Sequence, residues 1–431
     1  MKKEINIGLL GLGTVGSGVF KVLTTHRENF RSKVGADLKI KAILEKDVLK
    51  VEALGAMNLL VKDVSLILND PQIDIVVEVI GGIEPAKSFI LQAIHKGKQV
   101  VTANKELLAN YGEEILEAAD GCGVDVYFEA SVGGGIPIIR PLKECLAGNK
   151  ILKVMGVVNG TTNFILTKMA EEGLPFEQAL KEAQRRGYAE RDPSADVEGH
   201  DAAAKIAILA SIAFNSRVVA SEVFTEGISK VSLSDIAYAQ EIGYTIKLIA
   251  LAKEENGELD VRVHPTMIPL SHPLAAVKGV YNAIFVEGDA VGEVMFFGQG
   301  AGSMPAASAV VGDIIDAARN LQYGRGGIIG CTCFESKKIR SIDDIETSYY
   351  LLMNVVDKPG VLAKIAKAFG DNDVSLASVI QKGPRGPNAE LMFITHRVRE
   401  KNLRASLSEI TELEVVNEIC NVIRVEGPRG G

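Results

Sequence analysis

Apolar residues in the first third of the chain alternate between short strand-like runs and longer helical periods. The strand-like runs lie at 5–10, 38–44, 73–80, 99–102 and 124–128, and helical spacing is clearest at 86–96 and 106–119. Strands that alternate with helices form a parallel sheet with helices on its faces. The pattern therefore predicts an α/β domain over residues 1–128.

The remainder of the chain has a different order of elements. Between 129 and 335, predicted helices (163–172, 175–186, 199–214) mix with strands such as 258–264, which indicates an α+β domain for catalysis, substrate binding and dimerisation. A helix near 303–320 is predicted to return to the first domain and complete it. A charged linker at 336–348 precedes the order βαββαβ at 349–425, which predicts a ferredoxin-like domain.

A glycine-rich turn directly follows the first strand and reads Gly11-Leu-Gly13-Thr14-Val15-Gly16. In a dinucleotide-binding turn, the first glycine permits the bend, the second admits the pyrophosphate, and the third lets the helix pack on the strand. With a strand before it and a helix after it, this turn predicts a Rossmann-like domain that binds NAD or NADP through these residues. The alternative is a βα turn without a ligand.

The choice between NAD and NADP stays open in the sequence. The second strand ends in Glu45-Lys46-Asp47, where the side chain that selects the ribose lies in such domains. Glu45 or Asp47 suits the 2′-hydroxyl of NAD, whereas Lys46 suits the 2′-phosphate of NADP. The mixed charges favour neither cofactor.

Composition narrows the class of protein. A net charge of -8 and a pI near 5.5 argue against binding to nucleic acid. No run approaches the roughly 18 apolar residues of a membrane span, and the N-terminus lacks a signal-peptide pattern, so we expect no membrane association and a cytoplasmic location. The five cysteines show no zinc spacing, and Cys331 and Cys333, in a strand-like segment, are interpreted as packing residues.

Two lysines are candidates for acid/base chemistry. Asp201 and Lys205 are four residues apart in a predicted helix and share a face, and Lys205 runs into an apolar stretch at 206–210. Burial and a nearby carboxylate shift a lysine pKa in opposite directions, and their balance can suit proton transfer. Lys105 opens a helix, where its charge opposes the helix dipole, so a contact with substrate or cofactor would explain its position. The alternatives are a surface ion pair with Asp201 for Lys205 and a solvent-exposed lysine in the first turn of a helix for Lys105.

Several ordered motifs resemble those of homoserine dehydrogenases over essentially the whole chain. Besides the glycine-rich turn, they are Thr102-Ala-Asn-Lys105, Glu129-Ala-Ser-Val-Gly-Gly-Gly-Ile136, Asn159-Gly-Thr-Thr-Asn163, Gly187-Tyr-Ala-Glu190, Asp201 to Lys205, and Gly300-Ala-Gly-Ser-Met-Pro305. Because the nucleotide-binding strand already begins at residue 5, the resemblance is to the monofunctional enzymes and not to the fusions with a kinase.

The resemblance implies the NAD(P)-dependent interconversion of L-homoserine and L-aspartate 4-semialdehyde in threonine, methionine and isoleucine biosynthesis. It makes Lys205 the acid/base and gives Lys105 a role in holding substrate and cofactor. Glu190 is expected to bind the substrate amine, with Asp196 and Asp201 in the same polar pocket. Further implied contacts are those of Gly160 and Thr161 with the substrate and of Gly302 with the cofactor.

The resemblance also implies a monovalent cation, Na⁺ or K⁺, that is held by main-chain carbonyls. These carry over to Glu129, Val132, Gly134 and Ile136. Nothing in the residues themselves points to this site, because glycine-rich turns commonly have no ligand.

The last 80 residues resemble an ACT domain, a small ligand-sensing module. This implies an amino-acid effector, with threonine as first candidate, and assembly as a homodimer or homotetramer. The segment Asp357–Gly360 opens a helix whose free N–H groups can receive a carboxylate, and Asn372 and Asp373 are expected to add polar partners. A module kept only for assembly is the alternative.

Two other classes of function compete with this interpretation. Aldehyde oxidation through a thiohemiacetal needs a nucleophilic cysteine near the nicotinamide, and Cys122 and Cys145 are the nearest in sequence. A ligand sensor without catalysis is the second alternative, but the retention of Lys105, Glu190 and Lys205 argues against it.

Overall fold

The computed structural model describes residues 2–324, 330–382 and 386–427. Its strands are β1 Glu4–Leu10, β2 Asp37–Leu44, β3 Leu60–Val61, β4 Ile73–Glu78, β5 Gln99–Thr102, β6 Val126–Tyr127, β7 Ile151–Val157, β8 Phe224–Thr225, β9 Tyr244–Glu255, β10 Glu258–Pro269, β11 Tyr281–Gly288, β12 Gly292–Gln299, β13 Glu346–Val356, β14 Leu376–Lys382, β15 Asn388–Thr395, β16 Val398–Arg399 and β17 Val416–Val425. Its helices are α1 Thr14–Thr25, α2 Arg27–Val34, α3 Val48–Ala53, α4 Ser65–Leu68, α5 Ala86–His95, α6 Lys105–Cys122, α7 Gly160–Glu172, α8 Phe176–Arg185, α9 Ser194–Val197, α10 His200–Ala213, α11 Leu233–Glu241, α12 Ser303–Gln322, α13 Val361–Asp371 and α14 Glu400–Thr411.

The chain divides into two units. The first unit contains Met1–Val154, Ala204–Glu222 and Tyr281–Lys337, and the second contains Met155–Ala203, Val223–Val280 and Lys338–Gly431. The division falls inside β7 and inside α10. No helix in the described part of the chain is long and apolar enough to span a membrane.

The first unit is built on a six-stranded parallel sheet. Its strand order, β3-β2-β1-β4-β5-β6, is that of the Rossmann fold and confirms the predicted α/β domain. Strand order reverses between β1 and β4, and the carboxyl ends of these strands form the crevice in which such sheets bind ligands. The last predicted strand of the domain is shorter than expected, with only Val126–Tyr127 paired to β5.

Helix α12 contributes to the core of the first unit. Its buried residues join the core under the sheet, and it packs against α1. At Gly18, an added Cβ would lie 2.5 Å from the carbonyl oxygen of Ser303, so the two helices approach as closely as a glycine allows. The antiparallel hairpin β11–β12 also belongs to this unit.

The second unit carries the ferredoxin-like domain. Strands β17-β13-β15-β14 form its antiparallel sheet, and α13 and α14 cover an apolar core that includes Ile365, Phe369 and Leu403. Strand β17 also pairs in parallel with β10, which forms a hairpin with β9. Residues of the predicted linker are ordered, because Leu259 exchanges backbone hydrogen bonds with Lys338 and Arg340.

Candidate functional site

The turn after β1 has the geometry that a pyrophosphate requires. Gly11 has a φ of +99°, and a Cβ there would lie 2.9 Å from the Val79 carbonyl oxygen. A Cβ at Gly16 would clash with the carbonyl oxygen of Gly11, whereas one at Gly13 would meet no heavy atom within 4 Å. Helix α1 starts without a side-chain cap. The residues present therefore fit a dinucleotide phosphate at the N-terminus of α1.

Two loops at the carboxyl ends of β4 and β5 are tied together by buried polar side chains. The Glu78 carboxylate is fully buried and accepts hydrogen bonds from the Thr102 hydroxyl at 2.6 Å and from the N–H of Ile80 at 2.8 Å. Asn104 donates to the Gly82 carbonyl at 2.6 Å. Sequence reasoning missed Glu78, although an acidic residue in an otherwise apolar strand is a detectable signal.

Asn104 also places Lys105. Its side-chain oxygen accepts the N–H of Leu107 at 3.1 Å and caps α6, so Lys105 is the first helical residue. Lys105 is half-buried and follows the carboxyl end of β5, the edge at which parallel α/β sheets bind ligands.

Gly302 lies beside the dinucleotide turn. It has a φ of +123° and precedes α12, and the hydroxyl of the next residue, Ser303, donates to the Thr14 carbonyl at 2.6 Å. This contact places Gly302 next to the residues that fit the cofactor.

The acidic residues after β2 are used by the turn itself. The Glu45 carboxylate accepts the N–H groups of Leu12 at 2.6 Å, Lys46 at 2.8 Å and Asp47 at 3.0 Å. Although burial opposes the change, these backbone hydrogen bonds lower the pKa of Glu45. Asp47 caps α3, and Lys46 is exposed. Glu45 and Asp47 therefore stabilise the backbone of this turn, and this arrangement favours neither NAD nor NADP.

Lys205 lies in α10 with only 9% of its surface exposed, and Asp201 lies one turn earlier in the same helix. The boundary between the two units falls after Ala203, so Asp201 belongs to the second unit and Lys205 to the first. His200, the first residue of α10, is exposed. Lys205 is therefore a nearly buried amine and not a solvated surface charge.

The side-chain amide of Asn159 brings two predicted site carboxylates together. It donates to Asp196 at 2.7 Å and to Asp201 at 2.8 Å, while its oxygen accepts the N–H of Thr162 and caps α7. Sequence reasoning recognised the motif but did not give Asn159 this role, because its partners lie 37 and 42 residues away. Two carboxylates this close favour a cationic group of a ligand.

The remaining predicted substrate residues lie at the start of α7 and just after α8. Gly160 begins α7, and the Thr161 hydroxyl donates to the Tyr188 carbonyl at 2.8 Å, so that hydroxyl holds the 187–190 segment. Glu190 is exposed, and its carbonyl accepts a hydrogen bond from Gln184. The carboxylate of Glu190 is therefore presented at the surface of this unit.

The glycine-rich turn at 129–136 is buried and tightly folded. The Glu129 carboxylate accepts the N–H groups of Ile138 at 2.5 Å, Ile139 at 2.8 Å and Arg140 at 2.9 Å. Gly134 has a φ of +57°, which turns the backbone through the left-handed region. The carboxylate of Glu129 is therefore occupied by backbone N–H groups of the protein.

Of the two candidate nucleophilic cysteines, Cys122 lies far from Lys105 along α6, and Cys145 lies at the surface. Cys122 ends α6, 17 residues after Lys105, and a helix rises roughly 25 Å over that length. Cys122 and Cys145 are both exposed. The thiohemiacetal alternative therefore lacks its nucleophile among these two residues.

The ferredoxin-like domain has a cavity of about 350 Å³ at the start of α13. Its lining includes Asp357, Gly360, Leu362 and Gln381. The prediction that Asn372 and Asp373 join this site is wrong. They follow α13, an 11-residue helix that rises roughly 16 Å, so they lie at the opposite end from the cavity.

A Rossmann sheet, a turn that fits a pyrophosphate, and a lysine at the ligand-binding edge are typical of an NAD(P)-dependent oxidoreductase. Comparison with known proteins specifies the family. Residues 11–129 match the homoserine dehydrogenase NAD-binding domain, residues 137–315 match homoserine dehydrogenase, and residues 349–415 match the ACT domain. The chain belongs to the homoserine dehydrogenase family.

Individual relatives agree over nearly the full length. A homoserine dehydrogenase of Synechocystis is 48% identical over 431 residues, covering 98% of this chain and 99% of the relative. The crystal structure of a homoserine dehydrogenase from Thiobacillus denitrificans has a TM-score of 0.94 at 42% identity and covers 98% of each chain. A hyperthermophilic archaeal homoserine dehydrogenase in complex with NADPH has a TM-score of 0.64 at 30% identity, covering 75% of this chain and 99% of that one. Family membership excludes the sensor without catalysis.

Proposed function

We propose that Lys205 is the acid/base of the interconversion of L-homoserine and L-aspartate 4-semialdehyde. The bound nicotinamide supplies or accepts the hydride. In the oxidation, the Lys205 amine takes the proton of the substrate hydroxyl, and in the reduction it returns a proton to the alkoxide oxygen. The observation that carries this role is the near-complete burial of Lys205 one helical turn after Asp201. Lys105 is proposed to hold substrate and cofactor at the edge of the sheet.

We infer that the substrate ammonium is recognised by carboxylates of the second unit. Glu190 is proposed as its direct partner, with Asp196 and Asp201, both fixed by Asn159, shaping the polar pocket. Gly160 and Thr161 contribute backbone groups at the start of α7, since the Thr161 hydroxyl already binds Tyr188. Glu190→Gln should raise the KM for homoserine more than the KM for the cofactor, and equal effects would contradict this role.

Replacement of Lys205 tests the acid/base assignment. General acid/base groups contribute roughly 100- to 10,000-fold to turnover, so Lys205→Ala should lower kcat by that factor while the Kd for the dinucleotide stays within about twofold. His200→Ala, an exposed position on the same helix, is the matched control and should retain normal turnover. A Lys205→Ala enzyme that keeps more than half of the wild-type kcat would refute the assignment.

The cofactor and cation are proposed to bind in the first unit. Gly11, Gly13, Thr14, Val15 and Gly16 are proposed to contact the dinucleotide together with Lys105 and Gly302. The NADPH complex of the archaeal relative supports NADP as a cofactor, and parallel assays with NAD and NADP measure the preference. Main-chain carbonyls of Glu129, Val132, Gly134 and Ile136 are proposed to hold Na⁺ or K⁺, and activity titrated with each salt against a tetramethylammonium control tests this.

We propose that the ACT domain binds an end-product amino acid, with threonine first, and regulates flux into threonine, methionine and isoleucine synthesis. The cavity at the start of α13 supports this, because Gly360 leaves the first N–H groups of the helix without a side-chain cap and Gln381 adds a polar wall. Calorimetric titration of the full chain should detect threonine binding that Gln381→Ala weakens and Asn372→Ala, at the far end of α13, does not. No binding by any of the pathway amino acids would leave a domain for assembly only.

Assembly and location are further proposals. A homodimer or homotetramer is expected by resemblance, and light scattering coupled to size exclusion measures the mass of the assembly. The cytoplasmic location stays a prediction from the composition of the chain.

A further inference from the structure

Two cysteines separated by one residue lie against the helices that carry both site lysines. Cys331 and Cys333 are half-buried and lie in an irregular segment, not in the strand that the sequence indicated. They line a pocket with Leu108 and Gly112 of α6 and with Ile208, Ser211 and Ile212 of α10. Because α6 begins with Lys105 and α10 contains Lys205, the segment at 331–333 packs against the two helices that position these lysines.

The two thiols are close to each other and to the end of α10. The sulfur of Cys331 accepts the N–H of Cys333 at 3.4 Å, and the two thiols also interact directly. The Cys333 thiol donates to the Ser211 carbonyl in the last turns of α10 at 3.7 Å. The spacing of one residue therefore places both sulfurs on the same side of the segment.

The pocket surrounds these sulfurs with positive charge. Lys143 lies against the Phe128 ring and donates to the Gly330 carbonyl at 3.4 Å, and Arg217 donates to the Leu108 carbonyl at 3.0 Å. Both cations also line the pocket. Cationic neighbours stabilise a thiolate, which is the nucleophilic form of cysteine.

The two cysteines differ in acidity. The adjacent Cys333 side chain has the largest effect on the pKa of Cys331. Burial opposes this effect, whereas the Cys333 N–H, Lys143 and Arg217 add to it, and the pKa of Cys331 is lowered to about 6. The adjacent Cys331 side chain and burial raise the pKa of Cys333. At neutral pH the pair therefore contains one thiolate and one thiol, which is the arrangement of an attacking and a resolving cysteine.

We propose that Cys331 and Cys333 form a reactive dithiol site that exchanges with low-molecular-weight disulfides. The Cys331 thiolate attacks one sulfur of the small disulfide, forms a mixed disulfide and releases one thiolate. Cys333 then loses its proton to that thiolate and attacks the Cys331 sulfur, which closes the Cys331–Cys333 disulfide and releases the second small thiolate, and this thiolate takes a proton from solvent. The two protein thiols are oxidised, and the small disulfide is reduced to two thiols.

Closure of this disulfide would disturb α10. It removes the hydrogen bond from Cys333 to Ser211 and pulls on a segment whose Glu335 N–H binds the Asn215 carbonyl at 2.8 Å and whose Lys337 N–H binds the Ser216 hydroxyl at 2.9 Å. The ring closed between residues one apart is small, and strained disulfides are readily reduced. The site thus provides a reversible effect on turnover that is independent of the ACT domain.

Oxidised glutathione added to the full-length enzyme tests the exchange. Intact-mass and peptide mass spectrometry should show loss of two hydrogens across 331–333 in the wild type, a stable glutathione adduct on Cys331 in Cys333→Ser, and neither product on this segment in Cys331→Ser. Cys122→Ser is the matched control, because Cys122 is exposed at the end of α6, and it should behave as the wild type. Adducts spread evenly over Cys122, Cys145 and Cys331 would overturn the proposal.

Two further measurements separate a reactive site from chance oxidation. The rate of alkylation of Cys331 by iodoacetamide should reach half its maximum near pH 6, and at pH 7 Cys331 should react faster than the exposed Cys122. Disulfide formation should lower kcat at least twofold, and dithiothreitol should restore it. Equal alkylation rates at pH 7 would refute the activated thiolate, and unchanged kcat in the fully oxidised enzyme would refute the link to α10.

Discussion

A buried arginine joins three parts of the second unit and makes a sharp prediction about stability. Arg424 of β17 is 4% exposed, and its guanidinium lies 2.9 and 3.0 Å from the two carboxylate oxygens of Glu400, the first residue of α14. It also pairs with Glu226, just after β8. Glu400 itself is 6% exposed and accepts the Tyr349 hydroxyl at 2.5 Å and the Arg404 side chain at 3.2 Å.

The change Arg424→Met keeps a long apolar side chain but removes the charge. Breaking a buried ion pair on one side costs about 3–5 kcal/mol, because the remaining charge stays buried without its partner. Because Glu400 keeps its hydrogen bonds with Tyr349 and Arg404, we expect the free energy of unfolding to fall by about 3 kcal/mol, the lower end of this range. At roughly 2–4 °C per kcal/mol for a unit of this size, the transition of the second unit should fall by about 6–12 °C.

Two companion variants identify the cause. The double change of Arg424→Met with Glu400→Gln removes both charges and should unfold at a higher temperature than Arg424→Met alone. Arg399→Met breaks an ion pair with Glu346 in which the side chains are 53% and 50% exposed, and it should cost less than about 1 kcal/mol. Thermal and urea unfolding of the full chain, followed by circular dichroism, provide the measurements. The reasoning fails if Arg424→Met costs no more than Arg399→Met.

Other predictions concern the dinucleotide turn and pH. The added methyl group of Gly13→Ala meets no neighbouring atom, so its Tm should equal that of the wild type while its Kd for dinucleotide rises at least tenfold, and an unchanged Kd would contradict the position of the pyrophosphate. The added methyl group of Gly16→Ala clashes with the turn, so this variant should have a lower Tm. Burial and the charges of Arg424 and Arg262 lower the pKa of His264 well below 6.5. Just below pH 6.5, His264 is therefore protonated in the unfolded chain but neutral in the folded chain. The free energy of unfolding should be at its full value above pH 6.5 and should fall by up to roughly 1.4 kcal/mol per pH unit below it. In urea titrations, His264→Gln should reduce this slope. An unchanged slope would show that His264 is not the group responsible.

The sequence predicted the dinucleotide turn well because its determinants are local. A strand, three glycines at fixed spacing and a helix all lie within about 20 residues, and each glycine has a separate steric role that the structure reproduces at Gly11 and Gly16. The order of elements in the ACT domain was predictable for the same reason. The error at Asn372 and Asp373 arose where a local rule was extended in space, since nearness in sequence to a helix does not indicate which end of it a residue occupies.

Positions that depend on long-range contacts were not predictable. The segment at 331–333 looked like a packed strand because it is short and lies between glycines, but no periodicity indicates that Lys143 and Arg217 surround it. The interpretation of these cysteines as packing residues rested on the absence of a zinc pattern or a redox motif. Their environment, and not their spacing, gives them different acidities.

The residues that assemble the site differ in kind from those that sequence reasoning selects. A search for chemistry favours residue types that can transfer a proton or bind a charged ligand, such as Lys205 or Glu190. Glu78, Glu129 and Asn159 instead use their hydrogen-bonding atoms within the protein, and each joins segments that are separate in sequence. A buried polar group left without its partner costs roughly 1–3 kcal/mol, so these side chains specify one arrangement of the loops that they hold. In each unit, loop geometry is therefore set by residues whose own hydrogen-bonding atoms are already satisfied, and a motif alone does not distinguish these residues from the ones proposed to act in catalysis.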